Sequence, residues 1–594
     1  MMTRYRLFVL TGILTVACTG LSPAATEAVP SMAGLIEAYA ADQHDVSAAW
    51  DLPGSPLRFD RLEALNRDWQ ARLQTVAFAA LPPASKIDWL LLRNDIDAQR
   101  TGLARERQQW NEIAHLVVFR DGIDSLELAR LKGGPLDCRE AASCVNRMAA
   151  QIKELRARLD LGLKTNATAT ASNSTTIAAT TNSPLIVSAS HARRAASATD
   201  SLRATLKKWY AFRDGYLPEF SWWLKKPYED TDKALEDYAK FLREEVAKLK
   251  GKDDDPIVGQ SLGAAALADA IRHEFIAYDA ETLLALGERE LARCETEMKA
   301  AARDMGFGDD WKAALAKVKA DYVPPGEQGD LIAGLAREAI GFIKTRNLVT
   351  IPPLCEETWS LTMIPPETLK TIPYAAYNGQ AMMVAYARDS MAQDDKLMTM
   401  RGNNRHFTRT VTPHELIPGH HLQRFQALRN NTQRTRFSTP FLVEGWALYW
   451  ERRLWDLGWA QTPENRIGML FWRMTRAARV IVTLKFHLGR MTPGDMADFL
   501  VERVGHERLG ATAEARRFAD DGFSPLYQAG YLHGSLQLEA LRRETVGKGL
   551  MTEQAFNDAV LAENAIPIEL IRASLLNLPL APDYKPVWRF ADTP

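Results

Sequence analysis

This chain of 594 residues has few cysteines, almost no net charge and no long apolar run. Five cysteines are too few for a disulfide-built scaffold or a multi-cysteine zinc ribbon, so any metal ion must be bound by histidine and carboxylate side chains. The 73 basic residues are balanced by 74 acidic ones, which leaves no positive excess to neutralise nucleic-acid phosphates. No uncharged apolar run reaches the ~20 residues of a membrane span. The composition, 46% apolar and 25% charged, is that of a large folded protein.

The N-terminus has the layout of an export signal. Arg4 and Arg6 precede an apolar stretch over 7–17, and small residues follow, so residues 1–24 are predicted to be a signal peptide. Cys18 is either a site of lipid attachment or part of the discarded signal. The mature protein is therefore expected in the bacterial periplasm, either free or held by a lipid anchor.

Helical periodicity dominates the rest of the chain. Apolar residues recur mostly at three- and four-residue intervals through an N-terminal region, 30–347, which predicts stacked amphipathic helices. Within it, residues 165–200 are rich in Ala, Ser, Thr and Asn and poor in large apolar residues, so a flexible surface insertion is expected there. Residues 348–594 form the predicted catalytic region. They begin with short strands in 349–366 and 380–387, because β-branched, aromatic and methionine residues are enriched there, and become helical again.

The residues that could carry chemistry begin with Thr-Pro-His-Glu-Leu-Ile-Pro-Gly-His-His, residues 412–421. A zinc-peptidase helix presents two histidines four residues apart, with a glutamate after the first as the general base. His414 and Glu415 match the first half of this pattern. The residue four positions after the histidine is Pro418, so the usual spacing fails.

A second histidine ligand would require a break in the helix. On a regular helix His420 points ~120° away from His414, and His421 lies ~10 Å further along the axis, so neither could share an ion with it. Pro418 removes a helical hydrogen bond and Gly419 tolerates unusual backbone angles, so the pair predicts a bulge. If the bulge absorbs two residues, His420 is the second ligand, which we favour. His421 is then an alternative ligand or a supporting group.

The segment Phe-Leu-Val-Glu-Gly-Trp-Ala-Leu-Tyr-Trp-Glu, residues 441–451, offers a third ligand. Gluzincin-type peptidases take this ligand from a glutamate on a following helix, and Glu444 stands among apolar neighbours. A buried carboxylate needs a cation or several donors, and zinc is the simplest partner. One Zn²⁺ bound by His414, His420 and Glu444 is therefore predicted. Glu451, two turns on, could hydrogen-bond a ligating imidazole or face solvent.

These motifs resemble those of the bacterial domain of unknown function 885 family, which is placed with the gluzincin-like metallopeptidases. The Pro-Gly-His at 418–420 and the Glu-Gly-Trp-Ala at 444–447 carry the likeness most specifically, and the layout matches over most of the mature chain. The resemblance implies a mostly α, two-lobed zincin-like metallopeptidase fold with a small β-sheet beside the metal-binding helix.

Two further segments match that family in part. Arg479 and His487 correspond to its arginine and histidine, although Thr-Leu-Lys replaces the family's intervening Asp-Thr-Gly. Tyr531 corresponds to its tyrosine, in a segment whose Gln-Ala pair is displaced. A phenol near the metal could donate a hydrogen bond to the oxyanion of a tetrahedral intermediate, and His487 or His533 could do the same. Core packing is the alternative role of each.

Similar enzymes bind the peptide as an added strand at a sheet edge beside the metal-binding helix. Met382, Met383 and Val384 form the candidate edge strand, and the alternative is an ordinary buried strand. The sequence thus predicts an exported zinc metallopeptidase acting on peptides or oligopeptides, with Glu415 taking the proton of metal-activated water. A zinc amidase acting on a non-protein amide is the alternative enzyme. A non-catalytic helical binding protein is the alternative of another class.

Overall fold

A computed structural model describes residues 31–166, 183–252, 255–365, 368–369, 372, 374–519 and 524–592. The predicted signal peptide, residues 1–24, and the candidate lipid site at Cys18 lie outside the described residues. Twenty-two α-helices and one three-stranded sheet make up most of the regular structure of the described chain, so the mostly α fold with a small sheet is confirmed. Among these helices, none combines the length and the apolar character needed to cross a membrane.

Helices of the N-terminal half begin where the sequence supplies a cap. The side chains of Ser31, Ser188 and Asp279 each accept a backbone N–H bond from the first turn of the helix that follows, which satisfies donors that have no helical partner. The helices are α1 (Met32–Ala49), α2 (Pro56–Gln74), α3 (Pro83–Ile113), α4 (Arg120–Leu131), α5 (Cys138–Asn166), α6 (Ala189–Ala211), α7 (Pro218–Phe241), α8 (Ala264–His273), α9 (Ala280–Asp304), α10 (Trp311–Ala320) and α11 (Gln328–Thr345).

Helices of the C-terminal half follow the same rule, with Asn404, Thr439 and Thr462 as capping side chains. Proline occupies the first turn of several of them, where its missing N–H costs no helical bond. The helices are α12 (Pro353–Thr358), α13 (Gln393–Gly402), α14 (Arg405–Glu415), α15 (His420–Ala427), α16 (Pro440–Asp456), α17 (Pro463–His487), α18 (Pro493–Phe499), α19 (Arg508–Ala519), α20 (Tyr527–Thr545), α21 (Glu553–Ala562) and α22 (Ile568–Leu575).

Two hydrophobic cores organise these helices. The smaller core is built by residues 113–247, mainly from α4 to α7. The larger core takes in α1, α2, the first half of α3 and most helices from α8 onwards. The predicted boundary at residue 347 therefore does not separate the cores. Instead, α3 packs against α22, and Arg434, which lies between α15 and α16, donates from Nε to the Asp88 carboxylate of α3 at 2.7 Å.

The flexible insertion expected over 165–200 is wrong at its C-terminal end, while residues 167–182 lie outside the described part of the chain. A regular helix, α6, begins at Ala189, and Ala192 and Ala196 are buried in the smaller core. Alanine has the highest helix propensity, and its small side chain lets α6 approach α7 closely. A helix that packs through small residues therefore needs few of the large apolar side chains that the prediction looked for.

The sheet consists of β1 (Leu361–Met363), β2 (Ala375–Tyr377) and β3 (Met382–Val384), in the order β1-β3-β2. β1 pairs in parallel with β3, and β2 pairs with β3 in the antiparallel direction. Met382, Met383 and Val384 thus form a strand, but the prediction that they form an edge is wrong, because β3 is bonded on both sides. The buried side chains of Met382 and Val384 suit this inner position. The edge that faces the candidate site is β2.

Helices α16 and α20 cross with their backbones in contact. A Cβ added to Gly445 would lie 2.6 Å from the Cα of Gly534, and a Cβ added to Gly534 would lie 1.8 Å from the carbonyl oxygen of Phe441. Only glycine allows so close a crossing. This contact places Glu444 of α16 beside Tyr527 of α20.

Gly445→Ala is expected to destabilise the fold by ~1–3 kcal/mol, the usual cost of overpacking a close-packed core. Thermal unfolding followed by circular dichroism should show a lower Tm. Gly334→Ala is the matched control, because Gly334 lies on α11 with nothing within 4 Å of an added Cβ. That change should be neutral or stabilise by ~0.5–1 kcal/mol. Equal Tm values for the two variants would contradict the close crossing.

Candidate metal centre

The helix that carries His414 is interrupted before the next histidine. α14 ends at Glu415 and α15 begins at His420, with Pro418 and Gly419 between them. A Cβ at position 419 would lie 1.8 Å from the carbonyl oxygen of His414, so the path of the chain requires glycine there. The break predicted from this Pro-Gly pair is confirmed. It brings the two imidazoles together, with ring centroids 4.9 Å apart.

Glu444 completes a cluster of three buried side chains. Its Oε2 lies 3.8 Å from Nε2 of His414 and 3.4 Å from Nε2 of His420. Two ligands that are each ~2.0–2.1 Å from a tetrahedral zinc ion are about 3.4 Å apart, so these spacings suit a common ion. Glu444 Oε2 is buried and makes no well-formed hydrogen bond within the described residues. A buried carboxylate oxygen that lacks a donor is where a cation would be accommodated, so the three residues fit zinc.

The acidic and basic side chains of this cluster stabilise each other's charged forms. Burial opposes ionisation of Glu444, but the adjacent His420 and His414 and a hydrogen bond from Tyr527 hold its pKa well below the ordinary value. Burial also favours the neutral form of His420, yet Glu444 and Glu415 outweigh it and raise the pKa of that imidazole to about 9. The centre thus attracts positive charge, whether it is carried by a proton or by a metal ion.

Contacts behind the three side chains fix their orientation. Nδ1 of His414 lies 2.6 Å from Oε1 of Glu451, which turns the other ring nitrogen, Nε2, towards Glu444. Glu451 also accepts a hydrogen bond from Arg476 at 3.2 Å. On the other side, the Tyr527 hydroxyl donates to Oε1 of Glu444, leaving Oε2 to face the histidines. Glu451 therefore lies beside a candidate ligand, at ion-pair distance from its imidazole, rather than facing solvent.

A cavity of about 110 Å³ adjoins the cluster and is bounded by β2 on one side and by helices on the others. Glu415 lines it, and one oxygen of its carboxylate lies within 4.8 Å of ring nitrogens of both His414 and His420. Tyr531 lines it as well, with its ring stacked at 6.2 Å from that of His414. The predicted general base and the predicted oxyanion donor thus share one cavity with the candidate ligands.

Several residues of this cavity were missed by sequence reasoning: Tyr527, Arg476, Glu514 and Arg517. Arg479, noted only as a family match, also lines it and donates twice to Glu514, at 2.8 and 3.0 Å. A signal for the arginines was present. Arginines recur every three residues at 473, 476 and 479 in the buried and mostly apolar middle part of α17, residues 467–484, which is an unusual placement of charge. Tyr527 lies one turn before Tyr531 on α20, and therefore on the same face.

His487 and His533 do not reach the cavity, so their predicted roles as oxyanion donors are wrong. His533 is two residues after Tyr531, about 200° around α20, and its ring nitrogens lie 3.1 and 3.0 Å from backbone carbonyl oxygens. His487 ends α17 and lines a separate cavity of about 330 Å³. Burial lowers the pKa of each to about 4, which favours the neutral form of a core histidine.

His421 points away from the cluster. Its Nδ1 lies 3.1 Å from the Tyr377 hydroxyl, and its Nε2 lies 3.0 Å from the carbonyl oxygen of Cys355. Burial lowers its pKa, whereas that of His420 is raised. The two neighbouring histidines therefore face different surroundings.

His420→Ala is expected to strip bound zinc from the purified protein, whereas His421→Ala should retain it, because only the first imidazole faces Glu444. Metal content by atomic emission after desalting is the measurement. The second variant serves as the control, since it removes the same ring from the next position on α15. If His421→Ala lost zinc and His420→Ala kept it, His421 rather than His420 would be the ligand.

Comparisons with known proteins agree on the family and the fold. The family described as "Bacterial protein of unknown function (DUF885)" matches residues 33–575. No curated protein matches the chain at a significant level. A candidate lipoprotein of unknown function from Shewanella oneidensis is 17% identical, with a TM-score of 0.66 over 92% of this chain and 100% of its own. A candidate lipoprotein from Colwellia psychrerythraea is 16% identical, with a TM-score of 0.57 over 92% of this chain and 98% of its own. Identities this low show a shared fold alone.

Proposed function

Because the chain belongs to the DUF885 family of bacterial proteins, whose description assigns no activity, we propose a function from the site itself: a zinc-dependent metallopeptidase. One observation carries the proposal. His414, His420 and Glu444 converge on one point, and Glu415 lies beside it in the same cavity. Two imidazoles, a carboxylate and a free glutamate make up the donor set of zinc hydrolases.

His414, His420 and Glu444 would hold the ion. When bound, zinc supplies Lewis-acid activation of a water molecule and of the substrate carbonyl. Glu451 keeps the His414 ring in place through its 2.6 Å contact with Nδ1. Tyr527 does the same for Glu444. Such supporting contacts typically change metal affinity by ~10–100-fold, so the proposal assigns them a positioning role.

Glu415 is the proposed general base. It is buried at the cavity wall beside the two histidines, within reach of a water molecule that attacks from the cavity. It would accept a proton from that water and pass it to the leaving amine. As the C–N bond breaks, the hydroxyl of the water is then added to the acyl fragment and its other hydrogen to the amine.

Tyr531 is the proposed oxyanion donor. Burial and the nearby Glu444 raise the pKa of its hydroxyl to about 12, against the opposing effect of Arg479, so the phenol is protonated at neutral pH. A protonated phenol can donate to the developing oxyanion, and such a donor stabilises the transition state most when water is excluded. The edge strand β2 lines the same cavity, so we place the peptide backbone along Ala375, Ala376 and Tyr377 rather than along β3.

The proposal also includes the fold class and the cellular location of the protein. We assign the helical body with its small sheet to the zincin-like class, because a break between α14 and α15 brings both histidines to one side of a glutamate from α16. We further propose export to the periplasm with a lipid anchor at Cys18, since an apolar stretch precedes that residue. Two structures of the same fold are described as candidate lipoproteins.

The deciding experiment is metal analysis of the purified protein followed by digestion of a random peptide pool. One zinc per chain and hydrolysis that a chelator stops and zinc restores would support the proposal. Hydrolysis of small non-peptide amides without any peptide cleavage would replace it with the amidase alternative. Absence of bound metal, together with no hydrolysis of either substrate class, would favour a binding protein.

A further inference from the structure

Arg476, one of the cationic side chains that line the cavity, has unused hydrogen-bonding capacity. Arg476 on α17 is 5% exposed and lines the cavity, and its Nε–H has no acceptor within the described residues. Its one hydrogen bond goes from a terminal nitrogen to Glu451 at 3.2 Å. A guanidinium carries five N–H donors, and leaving them unpaired in a buried site is costly. An anion that enters the cavity would relieve this cost.

Arg476 is also incompletely neutralised. The Glu451 carboxylate with which it pairs lies even closer to His414, at 2.6 Å. The neighbouring Arg479 differs, because both of its bonds go to the carboxylate of Glu514. Of these two arginines one turn apart, Arg476 is therefore the one available to a ligand.

The position of the guanidinium is set by rings rather than by further acceptors. The central carbon of Arg476 lies 5.0 Å from the ring centroids of both Trp472 and Tyr531. Stacking of this kind fixes the plane of a guanidinium while leaving its N–H edge free. Since Tyr531 also stacks on His414, the arginine lies one aromatic ring away from the candidate metal ligands.

The cavity is too small for a chain to run far past this point. Its volume is about 110 Å³, less than the ~150 Å³ of a cavity that admits one benzene molecule. A substrate that reaches the metal centre can extend into it by little more than one residue. In so small a space, the group that meets Arg476 is expected to be the end of the substrate.

We propose that Arg476 binds the terminal carboxylate of the substrate, so that the enzyme removes single residues from the carboxyl end of peptides. The inference rests on the proposed peptidase function. It narrows the bond that is cleaved from any peptide bond to the one nearest the carboxyl end of the substrate. Water adds across that bond, with the hydroxyl on the shortened peptide and the hydrogen on the released amino acid. A planar guanidinium is the group best matched to a carboxylate, which it can bind with two parallel hydrogen bonds.

The test measures binding without turnover. Zinc-loaded Glu415→Gln protein is dialysed to equilibrium against a pool of N-acetylated dipeptides with free carboxyl ends, and separately against the same pool as carboxamides, with mass-spectrometric readout. Free acids should be retained at least about tenfold more strongly, as expected for a charge-assisted hydrogen bond. Adding Arg476→Gln should abolish this preference. Equal retention of acids and amides, or a preference that survives Arg476→Gln, would overturn the proposal.

A matched control lies on the same helix. Arg473 is similarly buried and donates to Glu290 at 2.7 Å, but it does not line the cavity, so Arg473→Gln should keep the preference. Zinc content is measured for every variant, because Arg476 contacts a residue that supports His414. If Arg476→Gln does not fold, Arg476→Lys is used, which keeps the charge but loses the planar fork and should weaken the preference.

Two further arms separate related outcomes. Carboxamides that end in Asp or Glu test whether a side-chain carboxylate is bound instead. If they are retained and Arg476→Gln removes their retention, Arg476 recognises an acidic residue rather than the terminal carboxylate. Digestion of longer peptides by the unaltered enzyme should shorten free-ended chains one residue at a time and spare amidated ones. Equal internal cleavage of both would reject this inference while leaving the peptidase proposal intact. No cleavage of either, with the binding preference retained, would reject the peptidase proposal and the removal of single residues with it, and would leave only the binding of a terminal carboxylate by Arg476.

Discussion

Glu415→Gln is expected to leave the zinc content unchanged and to remove nearly all hydrolysis of peptides. The amide has the size of the carboxylate but cannot accept the proton of the attacking water, and general base catalysis contributes roughly 10²–10⁴-fold to rate. His414, His420 and Glu444 are untouched, so the metal should remain. The measurement pairs atomic emission with the rate of cleavage of a peptide pool at saturating zinc.

The control for this change is Glu338→Gln. Glu338 accepts two hydrogen bonds from Arg409 of α14, the helix that carries His414 and Glu415, but it lies outside the cavity. The same chemical change there should leave both metal and rate almost unaltered. If Glu415→Gln cleaved peptides as fast as Glu338→Gln, Glu415 would not be the base.

Glu444→Ala is expected to leave the protein without zinc. The change removes the carboxylate whose Oε2 lies 3.8 Å from Nε2 of His414 and 3.4 Å from Nε2 of His420, and two imidazoles alone bind the ion far more weakly. Zinc added at one hundred times its Kd stabilises a protein by about 2.7 kcal/mol, so it should raise the Tm of the unaltered enzyme measurably. The same addition should leave the Tm of Glu444→Ala where it was.

Glu451→Gln is the comparison variant, for which an intermediate loss of zinc affinity is expected. Glu451 touches His414 rather than the proposed ion, so its amide variant should keep zinc with an affinity lowered by ~10–100-fold. Competition with a chromogenic chelator resolves these cases. A Glu444→Ala variant that binds zinc as tightly as Glu451→Gln would rule out Glu444 as a ligand.

Local features of this site were readable from the sequence because they depend on few neighbouring residues. Pro418 and Gly419 break the helix through their own backbone chemistry, so the approach of His420 to His414 followed from one short segment. Burial of Glu444 followed from the apolar residues on either side of it. The mostly helical fold followed from periodicity in the same way.

Features that depend on distant segments were not readable. Tyr527 meets Glu444 only because Gly445 and Gly534 let α16 and α20 touch. The sequence of one helix does not indicate which other helix packs against it. The central position of β3 depends on pairing with β1 and β2, whereas its apolar composition suits an edge or an inner strand alike. The alanine-rich first half of α6, residues 189–200, was mistaken for a loop because its stability comes from close packing.

Helix α3 has a consequence for how this protein can change over evolution. Its 31 residues contribute Ile96 to the larger core and Ile113 to the smaller one, and the chain returns to the larger core only after residue 247. The described residues of this intervening segment supply no wall of the cavity beside His414. Natural selection can therefore lengthen, shorten or replace that segment while the residues of the candidate metal centre stay unchanged.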